Sequence, residues 1–141
     1  MKTLKSLAAA LLIFLSVSAF ANDDSKNQKL QMDYALKTYI DAISNGNIKG
    51  LPEVLDSDVK FTITRGEQIV SYSKSEMLSS LKTTQNIQQN CVTDYTIIDQ
   101  NPAQAVVKVT MKYAEFSKVN FVTMTNTTRG WKITNVSSSF N

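Results

Sequence analysis

The periodicity of hydrophobic residues changes along this chain, and that change constrains the fold more than any other feature of the sequence. Leu36, Ile40 and Ile43 recur at three- or four-residue spacing, which is typical of an amphipathic helix. In the last third of the chain apolar residues alternate with polar ones around Val107 and Val109, and β-branched residues are common, which is typical of strands with one buried face. Helical segments followed by consecutive strands predict an α+β fold in which helices pack on one face of a sheet.

Turn and cap signals locate the remaining elements. Pro52 lies near the start of a short apolar segment, where a helix loses nothing from the missing N–H of proline. Arg65-Gly66-Glu67 separates two apolar runs and predicts a hairpin, and Ser73-x-x-Glu76 is a capping-box pattern ahead of a third helix. The sequence therefore predicts three helices, in residues 32–43, 51–55 and from 73, and six strands, in residues 59–64, 68–72, 91–99, 105–113, 119–127 and 131–140.

Residues 1–21 predict a secretory signal peptide. Two lysines precede an almost unbroken apolar run, and Ala19 and Ala21 supply the small residues at −3 and −1 of a cleavage site after Ala21. The run is shorter than the roughly 20 residues that a membrane-spanning helix needs, and no cysteine follows the cleavage site to carry a lipid. We therefore expect a periplasmic or secreted protein with no membrane attachment after cleavage, folded as one domain in residues 22–141.

The amino-acid inventory excludes several kinds of chemistry. The chain has no histidine, which removes imidazole bases, Ser-His and Cys-His nucleophile pairs and histidine-containing metal sites. Its one cysteine, Cys91, is expected to be a small buried or half-buried side chain. Asp56 and Asp58 adjoin a predicted strand, where solvent surrounds their carboxylates. Asp94 and Asp99 flank another strand in the same way, so the sequence predicts no metal, no cofactor and no catalytic carboxylate pair.

The distribution of charge gives no sign of a nucleic-acid partner. The formal net charge is +3, and removal of the leader with Lys2 and Lys5 leaves thirteen basic and twelve acidic residues. The lysines are dispersed, and Arg65 and Arg129 stand alone, whereas a nucleic-acid site needs a basic patch with stacking aromatic residues. We therefore expect no nucleic-acid partner.

The order of the predicted elements, together with three motifs, resembles the NTF2-like superfamily. The motifs are Tyr39-Ile40-Asp41-Ala42-Ile43-Ser44-Asn45-Gly46-Asn47-Ile48-Lys49-Gly50, Asp58-Val59-Lys60-Phe61 and Gly130-Trp131-Lys132-Ile133. The last motif and Ala105-Val106-Val107-Lys108-Val109 look most like the small exported proteins of the subgroup labelled putative lumazine-binding. The resemblance covers nearly all of residues 22–141. It implies a cone in which a curved antiparallel sheet of about six strands wraps three helices and leaves a conical pocket, as in ketosteroid isomerases and SnoaL-like cyclases.

Ketosteroid isomerases of this superfamily place a tyrosine, a basic aspartate and a protonated aspartate in the pocket. The resemblance puts Tyr39 at the tyrosine but Ile63 at the base, and no Asp or Glu occurs in residues 116–141 to supply the third group. Because an oxyanion donor without a base cannot abstract a proton, no catalytic residue is predicted.

The resemblance also indicates which side chains would meet a ligand in the cone. Nine residues are candidates: Tyr39, Phe61, Ile63, Met77, Tyr95, Val109, Met111, Phe121 and Trp131. Core packing is the alternative role for Tyr39, Trp131 and the methionines, because such side chains also fill protein interiors.

Three functions follow as hypotheses. The favoured one is a non-catalytic exported domain that binds a small, largely apolar molecule in the cone. The second is a homodimeric interaction module without a ligand, paired through the outer face of the sheet. The third is an unorthodox enzyme, isomerase- or dehydratase-like, that uses Tyr39 with an acid such as Asp41 or Asp94.

Overall fold

The computed structural model describes residues 27–141, so the predicted signal peptide of residues 1–21 lies outside the described part of the chain. A short helical segment at residues 27–29 precedes the main elements. The helices are α1 (Met32–Asn45), α2 (Leu51–Val54) and α3 (Lys74–Thr83), and the strands are β1 (Leu55–Arg65), β2 (Gln68–Tyr72), β3 (Val92–Gln100), β4 (Gln104–Lys112), β5 (Ser117–Thr127) and β6 (Gly130–Phe140). Within residues 27–141 no helix is long and apolar enough to cross a membrane.

Helix α1 packs its apolar stripe on the sheet, as the sequence predicts. Ala35, Leu36, Tyr39 and Ala42 are buried, and their spacing of one, three and three residues places them on one side of the helix. The helix ends at Gly46, whose φ of +71° is left-handed and whose N–H donates to the carbonyl of Ala42. Glycine suits this position because it has no Cβ to clash in the left-handed region.

Helix α3 begins with the predicted capping box. The Ser73 N–H donates to the Glu76 carboxylate at 2.7 Å, and the Glu76 N–H donates to the Ser73 hydroxyl at 3.3 Å. The hydrogen bond from the Ser73 N–H to the Glu76 carboxylate lowers the pKa of the Glu76 carboxyl. No residue of α3 is fully buried, and Met77 and Leu81 are half-buried. The helix therefore lies at the margin of the domain, against β1.

The six strands form one sheet in the order β2-β1-β6-β5-β4-β3. Four of the neighbouring pairs are antiparallel, but β1 and β6 are parallel, so the expectation of a wholly antiparallel sheet is wrong at this one pair. The parallel pair arises because the meander from β3 to β6 brings its last strand beside β1 in the same direction. The predicted α+β cone, with helices on a curved six-stranded sheet, is confirmed.

Strand alternation defines an inner face, which packs against α1, and an outer face. On the inner face Val107 pairs with Val122, and Val122 pairs with Val136, and all three are buried in the core cluster. On the outer face Lys108 pairs with Phe121, and Phe121 pairs with Ser137. The core therefore lies between α1 and the middle of β4, β5 and β6.

Candidate functional site

A cavity of about 190 Å³ lies beside the C-terminal half of α1. Its walls come from α1, α2, α3, β1, the segment after α3 and the ends of β4, β5 and β6. The apolar lining consists of Ala42, Ile43, Leu51, Phe61, Ile63, Met77, Leu81, Ile87 and Met111. Polar atoms enter it from Tyr39, Thr84, Gln89, Tyr113, Lys118 and Ser138. The cone is therefore not packed shut by its own side chains.

One wall of the cavity is the segment of residues 84–91, which is fixed to the end of α1 by backbone hydrogen bonds. The Asn86 N–H donates to the Gly46 carbonyl at 2.9 Å, and the Gln89 N–H donates to the Ser44 carbonyl at 2.7 Å. A Cβ atom on Gly46 would lie 2.7 Å from the Asn86 nitrogen. Glycine is needed here both for its backbone conformation and for the close approach of this wall.

Tyr39 presents a phenol to the cavity. Its side chain is only 4% exposed, and burial raises the pKa of the phenol well above its usual value of 10.0, so it stays protonated at neutral pH. No residue within 27–141 forms a hydrogen bond with its hydroxyl, although every fully enclosed side-chain oxygen or nitrogen in this part of the chain has a partner. Tyr39 lines the cavity, so its hydroxyl is a candidate to donate or accept a hydrogen bond there.

Lys118 and Ser138 line the cavity from the inner face of β5 and β6, and Asn120 lies buried next to them. Lys118 is half-buried, and both burial and the nearby Arg65 guanidinium lower the pKa of its ammonium group. Ser138 donates to the Asn120 Oδ1 atom at 2.6 Å, and Asn120 Nδ2 donates to the Val109 carbonyl at 3.5 Å. The Ser138 oxygen keeps a lone pair for a further donor.

Among the described residues no carboxylate lines the cavity, which matters for the catalytic hypothesis. Ile63 does line it, so the position of the isomerase base carries an alkyl side chain. The Asp41 carboxylate accepts hydrogen bonds from the side-chain amides of Asn45 and Asn47, at 2.7 and 2.6 Å, and lies outside the cavity lining. Asp94 is exposed on β3 and is also outside the lining. Neither acid can reach a ligand held beside Tyr39.

Metal ligands are not gathered in this part of the protein either. In residues 27–141 no three His, Cys, Asp or Glu side chains lie close enough together to hold a metal ion.

The cavity brings together five of the nine side chains that the sequence predicts as ligand contacts: Tyr39, Phe61, Ile63, Met77 and Met111. That these five bind a ligand stays a prediction. Val109 is fully buried in the core cluster, away from the lining. Tyr95 is 43% exposed on the edge strand β3. These two belong to the core and the sheet edge.

Phe121 and Trp131 also lie away from the cavity. Phe121 is 41% exposed on the outer face because it alternates with the buried Asn120 and Val122. Trp131 packs against the core at the start of β6, where its backbone N–H donates to the Leu30 carbonyl. It is seven residues from Ser138 along the strand, or roughly 20 Å at the usual rise.

Sequence reasoning missed five polar members of the lining: Thr84, Gln89, Tyr113, Lys118 and Ser138. One signal could have revealed part of this set. Lys118 and Asn120 alternate in phase with Val122 and Met124, so β5 carries two polar residues on the face that is otherwise apolar. Polar side chains on a buried face are informative because their burial costs free energy unless they find partners.

A second, open depression of about 1200 Å³ runs along the polar side of α1. Charges of both signs border it, and Lys37 already pairs with Asp33 at 2.8 Å. Few of the side chains that line this depression are apolar, so a ligand there would stay largely hydrated. The smaller cavity is therefore the better candidate site.

Comparison with known proteins places the chain in a family. The family described as "Putative lumazine-binding" matches residues 27–139. No match was found among curated proteins.

Solved structures show the same fold. An NTF2-like protein of unknown function from Silicibacter pomeroyi has 13% sequence identity and a TM-score of 0.62, over 84% of this chain and 97% of that one. An NTF2-like protein from Cytophaga hutchinsonii has 21% identity and a TM-score of 0.58, over 74% of this chain and 91% of that one. At these identities the likeness concerns the fold alone. The matched residues show that this chain belongs to the family described as putative lumazine-binding, and its fold is the one seen in NTF2-like proteins.

Proposed function

We propose that this protein binds a small molecule with an apolar body in the cavity beside Tyr39 and does no chemistry on it. The observation that carries the proposal is an apolar cavity with a buried phenol whose hydroxyl has no partner among residues 27–141. Ligand sites combine these two features, because apolar walls supply affinity and a few polar groups orient the ligand.

The size of the cavity limits the ligand. An apolar cavity of about 150 Å³ in another protein holds benzene, and the cavity here measures about 190 Å³. One or two fused rings, or an aliphatic chain of similar volume, fill it. Lumazine, the compound in the family's description, is a fused two-ring molecule and therefore belongs among the compounds to be tested.

The absence of catalysis rests on the residues that face the ligand. The described lining has no carboxylate, and the chain has no histidine, so neither of the usual groups for moving a proton at neutral pH is at hand. The predicted leader assigns this binding function to the periplasm or the cell exterior. The protein then acts as a carrier or scavenger of its ligand outside the cytosol.

Calorimetric titration with 2-naphthylmethanol, a neutral two-ring probe, tests the proposal. We expect one site per chain in the wild type and no binding in Ile63→Trp, because the indole would occupy the cavity. Thr62→Trp is the matched control, since Thr62 neighbours Ile63 on β1 and faces the other side of the sheet. A wild type that takes up neither the naphthyl probe nor lumazine would contradict the proposal, and so would an Ile63→Trp variant that binds as well as Thr62→Trp.

A second candidate function is self-association through the outer face of the sheet. Phe121 is exposed on this face between Lys108 and Ser137, and a large aromatic side chain surrounded by polar ones is typical of protein interfaces. Light scattering on the wild type and on Phe121→Ser tests it. A dimer that dissociates in Phe121→Ser is the expected result, and a wild type that remains monomeric at high concentration would contradict it.

A further inference from the structure

Two cationic side chains lie together beside the cavity, at its solvent-facing edge. Lys118 lines the cavity from β5, and Arg65 ends β1. The ring of Phe140 connects them: the Lys118 ammonium lies 6.0 Å from its centroid, and the Arg65 guanidinium carbon lies 5.4 Å from it. Both distances are within the range of cation–π attraction.

These cations are held on a rigid base of aromatic rings. Tyr113 stacks on Phe116 with centroids 4.6 Å apart, and Phe116 contacts Phe140 at 6.1 Å. The Tyr113 hydroxyl in turn donates to the Gln89 side chain at 3.1 Å. The three rings form an aromatic rim, consisting of Tyr113, Phe116 and Phe140, that joins the turn between β4 and β5 to the end of β6.

Neither cation has a counter-charge within the described residues. The ion pair in residues 27–141 is Lys37 with Asp33, and no carboxylate lines the cavity. Two of the other half-buried lysines satisfy their ammonium groups on backbone carbonyls: Lys74 donates to the Pro52 and Leu55 oxygens, and Lys132 donates to the Glu53 oxygen. Lys108, which is half-buried on the outer face, makes no such bond within residues 27–141 but does not line the cavity. Lys118 makes no such hydrogen bond in this part of the chain, although it is half-buried and next to a second cation.

Such an arrangement costs free energy in the empty protein. Burial and the like charge of Arg65 both disfavour the charged form of Lys118, which is the reason its pKa is lowered. A bound anion would remove both penalties, because it supplies the missing counter-charge and hydrogen-bond acceptors. The cavity itself offers that anion an apolar volume for the rest of the molecule.

We propose that the ligand is an organic monocarboxylate, with its apolar body in the cavity beside Tyr39 and its carboxylate between Lys118 and Arg65 at the aromatic rim. This inference rests on the proposed binding function and adds the chemical class of the ligand. An aromatic acid of one or two rings, or a short-chain aliphatic acid, has both the volume and the single negative charge that the site accepts.

A pair of probes with the same naphthyl body, one carrying a carboxylate and the other a neutral hydroxymethyl group, tests the inference. Calorimetric titrations compare 2-naphthoate with 2-naphthylmethanol on the same protein at neutral pH. We expect the wild type to bind the acid about tenfold more tightly than the alcohol, which is the effect of one charge-assisted interaction. Lys118→Met keeps the alkyl stem and removes the charge, so the affinity ratio should fall to about one, whereas Lys118→Arg should restore most of it.

Lys112→Met is the matched control. Lys112 is exposed one residue beyond Met111 on β4, on the outer face, so its removal changes the net charge equally without changing the site. We expect this variant to keep the wild-type ratio. Arg65→Met, at an exposed position that tolerates substitution, provides a second variant and should lower the ratio about threefold.

The outcomes separate the two proposals. If neither probe binds the wild type, the proposed function fails. If both bind with equal affinity, the cavity is a binding site but the inference of a carboxylate ligand is overturned. It is also overturned if Lys112→Met lowers the ratio as much as Lys118→Met does, because the preference would then come from overall charge.

Discussion

The inner face of the sheet has two ends that follow the same strand alternation but have different surroundings. At the sealed end, Val107, Met124 and Ile133 are fully buried beneath α1. At the cavity end the same strands contribute Met111, Lys118 and Ser138, and they share the lining with the C-terminal half of α1, with α3 and with the segment after α3. The difference shows that the elements facing the strands, rather than the strands themselves, determine which part of the cone is core and which part is a cavity.

The Asn120–Ser138 pair lies at the border between these two ends. Asn120 is fully buried, yet its side chain is satisfied by the Ser138 hydroxyl and the Val109 carbonyl. Because the two side chains are hydrogen-bonded, their burial at the edge of the core costs little free energy. On the cavity side, the Ser138 hydroxyl can still accept a hydrogen bond from a ligand. The change from apolar to polar residues along β5 and β6 therefore coincides with the change from packing to open space.

The largest effect should come from truncating a side chain at the sealed end. Ile133→Ala leaves a void among residues that cannot relax, and we expect it to lower the free energy of unfolding by about 2–5 kcal/mol. Ile63→Ala, at the cavity end, removes the same atoms from a half-buried side chain and should cost less than half as much. Urea denaturation of both variants measures the comparison. Equal losses would mean that the two ends are packed alike.

The next effect concerns the wall that closes the cavity behind α1. Gly46→Ala must adopt a positive φ and must also displace residues 84–87, so we expect a loss of about 2 kcal/mol in stability and weaker binding of 2-naphthylmethanol. Gly66→Ala is its control, because Gly66 has a similar φ of +61° but no atom within 4 Å of the added Cβ. It should cost about 1 kcal/mol and leave binding unchanged. Identical behaviour of the two variants would show that the wall is not fixed by Gly46.

A smaller effect is expected in the pH dependence of stability at the cavity end. The folded-state pKa of Lys118 is lowered from its usual 10.5 by burial and by Arg65, so between the two values the unfolded chain binds more protons. The free energy of unfolding of the wild type should therefore rise with pH, relative to Lys118→Met, as the pH increases through the folded pKa towards 10.5. All other titratable groups are common to both proteins, so the difference isolates Lys118. If the difference in the free energy of unfolding between the two proteins, measured by urea denaturation, does not change with pH, the lowered pKa of Lys118 is contradicted.

The smallest effect on stability is expected for Tyr39→Phe. The hydroxyl has no partner within residues 27–141, so its removal should change the free energy of unfolding by less than about 0.5 kcal/mol. Binding of 2-naphthylmethanol should weaken by about fivefold if the phenol makes one hydrogen bond to the ligand. A large loss of stability with unchanged binding would identify Tyr39 as a core residue only.

The sequence predicted the elements well because their signals are local. The capping box at Ser73 and the turn at Gly66 each depend on a few neighbouring residues, and both occur where predicted. The parallel pairing of β1 with β6 depends on where a distant meander ends, and no local pattern encodes that.

The site was predicted less well because lining a cavity depends on partners that are far apart in sequence. On β5 both alternating sets contain apolar residues, with Phe121 in one and Val122 in the other, so the sequence left the direction of Phe121 open. Val122 pairs with the buried Val107 on β4, so Val122 faces the core and Phe121 faces outward. Val109 and Met111 have the same pattern in sequence and are both buried, and only the packing of distant elements around the end of β4 makes Met111 line the cavity while Val109 belongs to the core cluster.

Native mass spectrometry of the gently purified protein tests the central claim, that the cavity end of the cone is a binding site. We expect the folded wild type to carry an additional mass that is released on denaturation, or to acquire one stoichiometrically from 2-naphthoate, and we expect Thr62→Trp to behave alike. Ile63→Trp should show the mass of the bare chain. A wild type that stays bare under both conditions, or an Ile63→Trp variant that carries the same additional mass, would contradict the account.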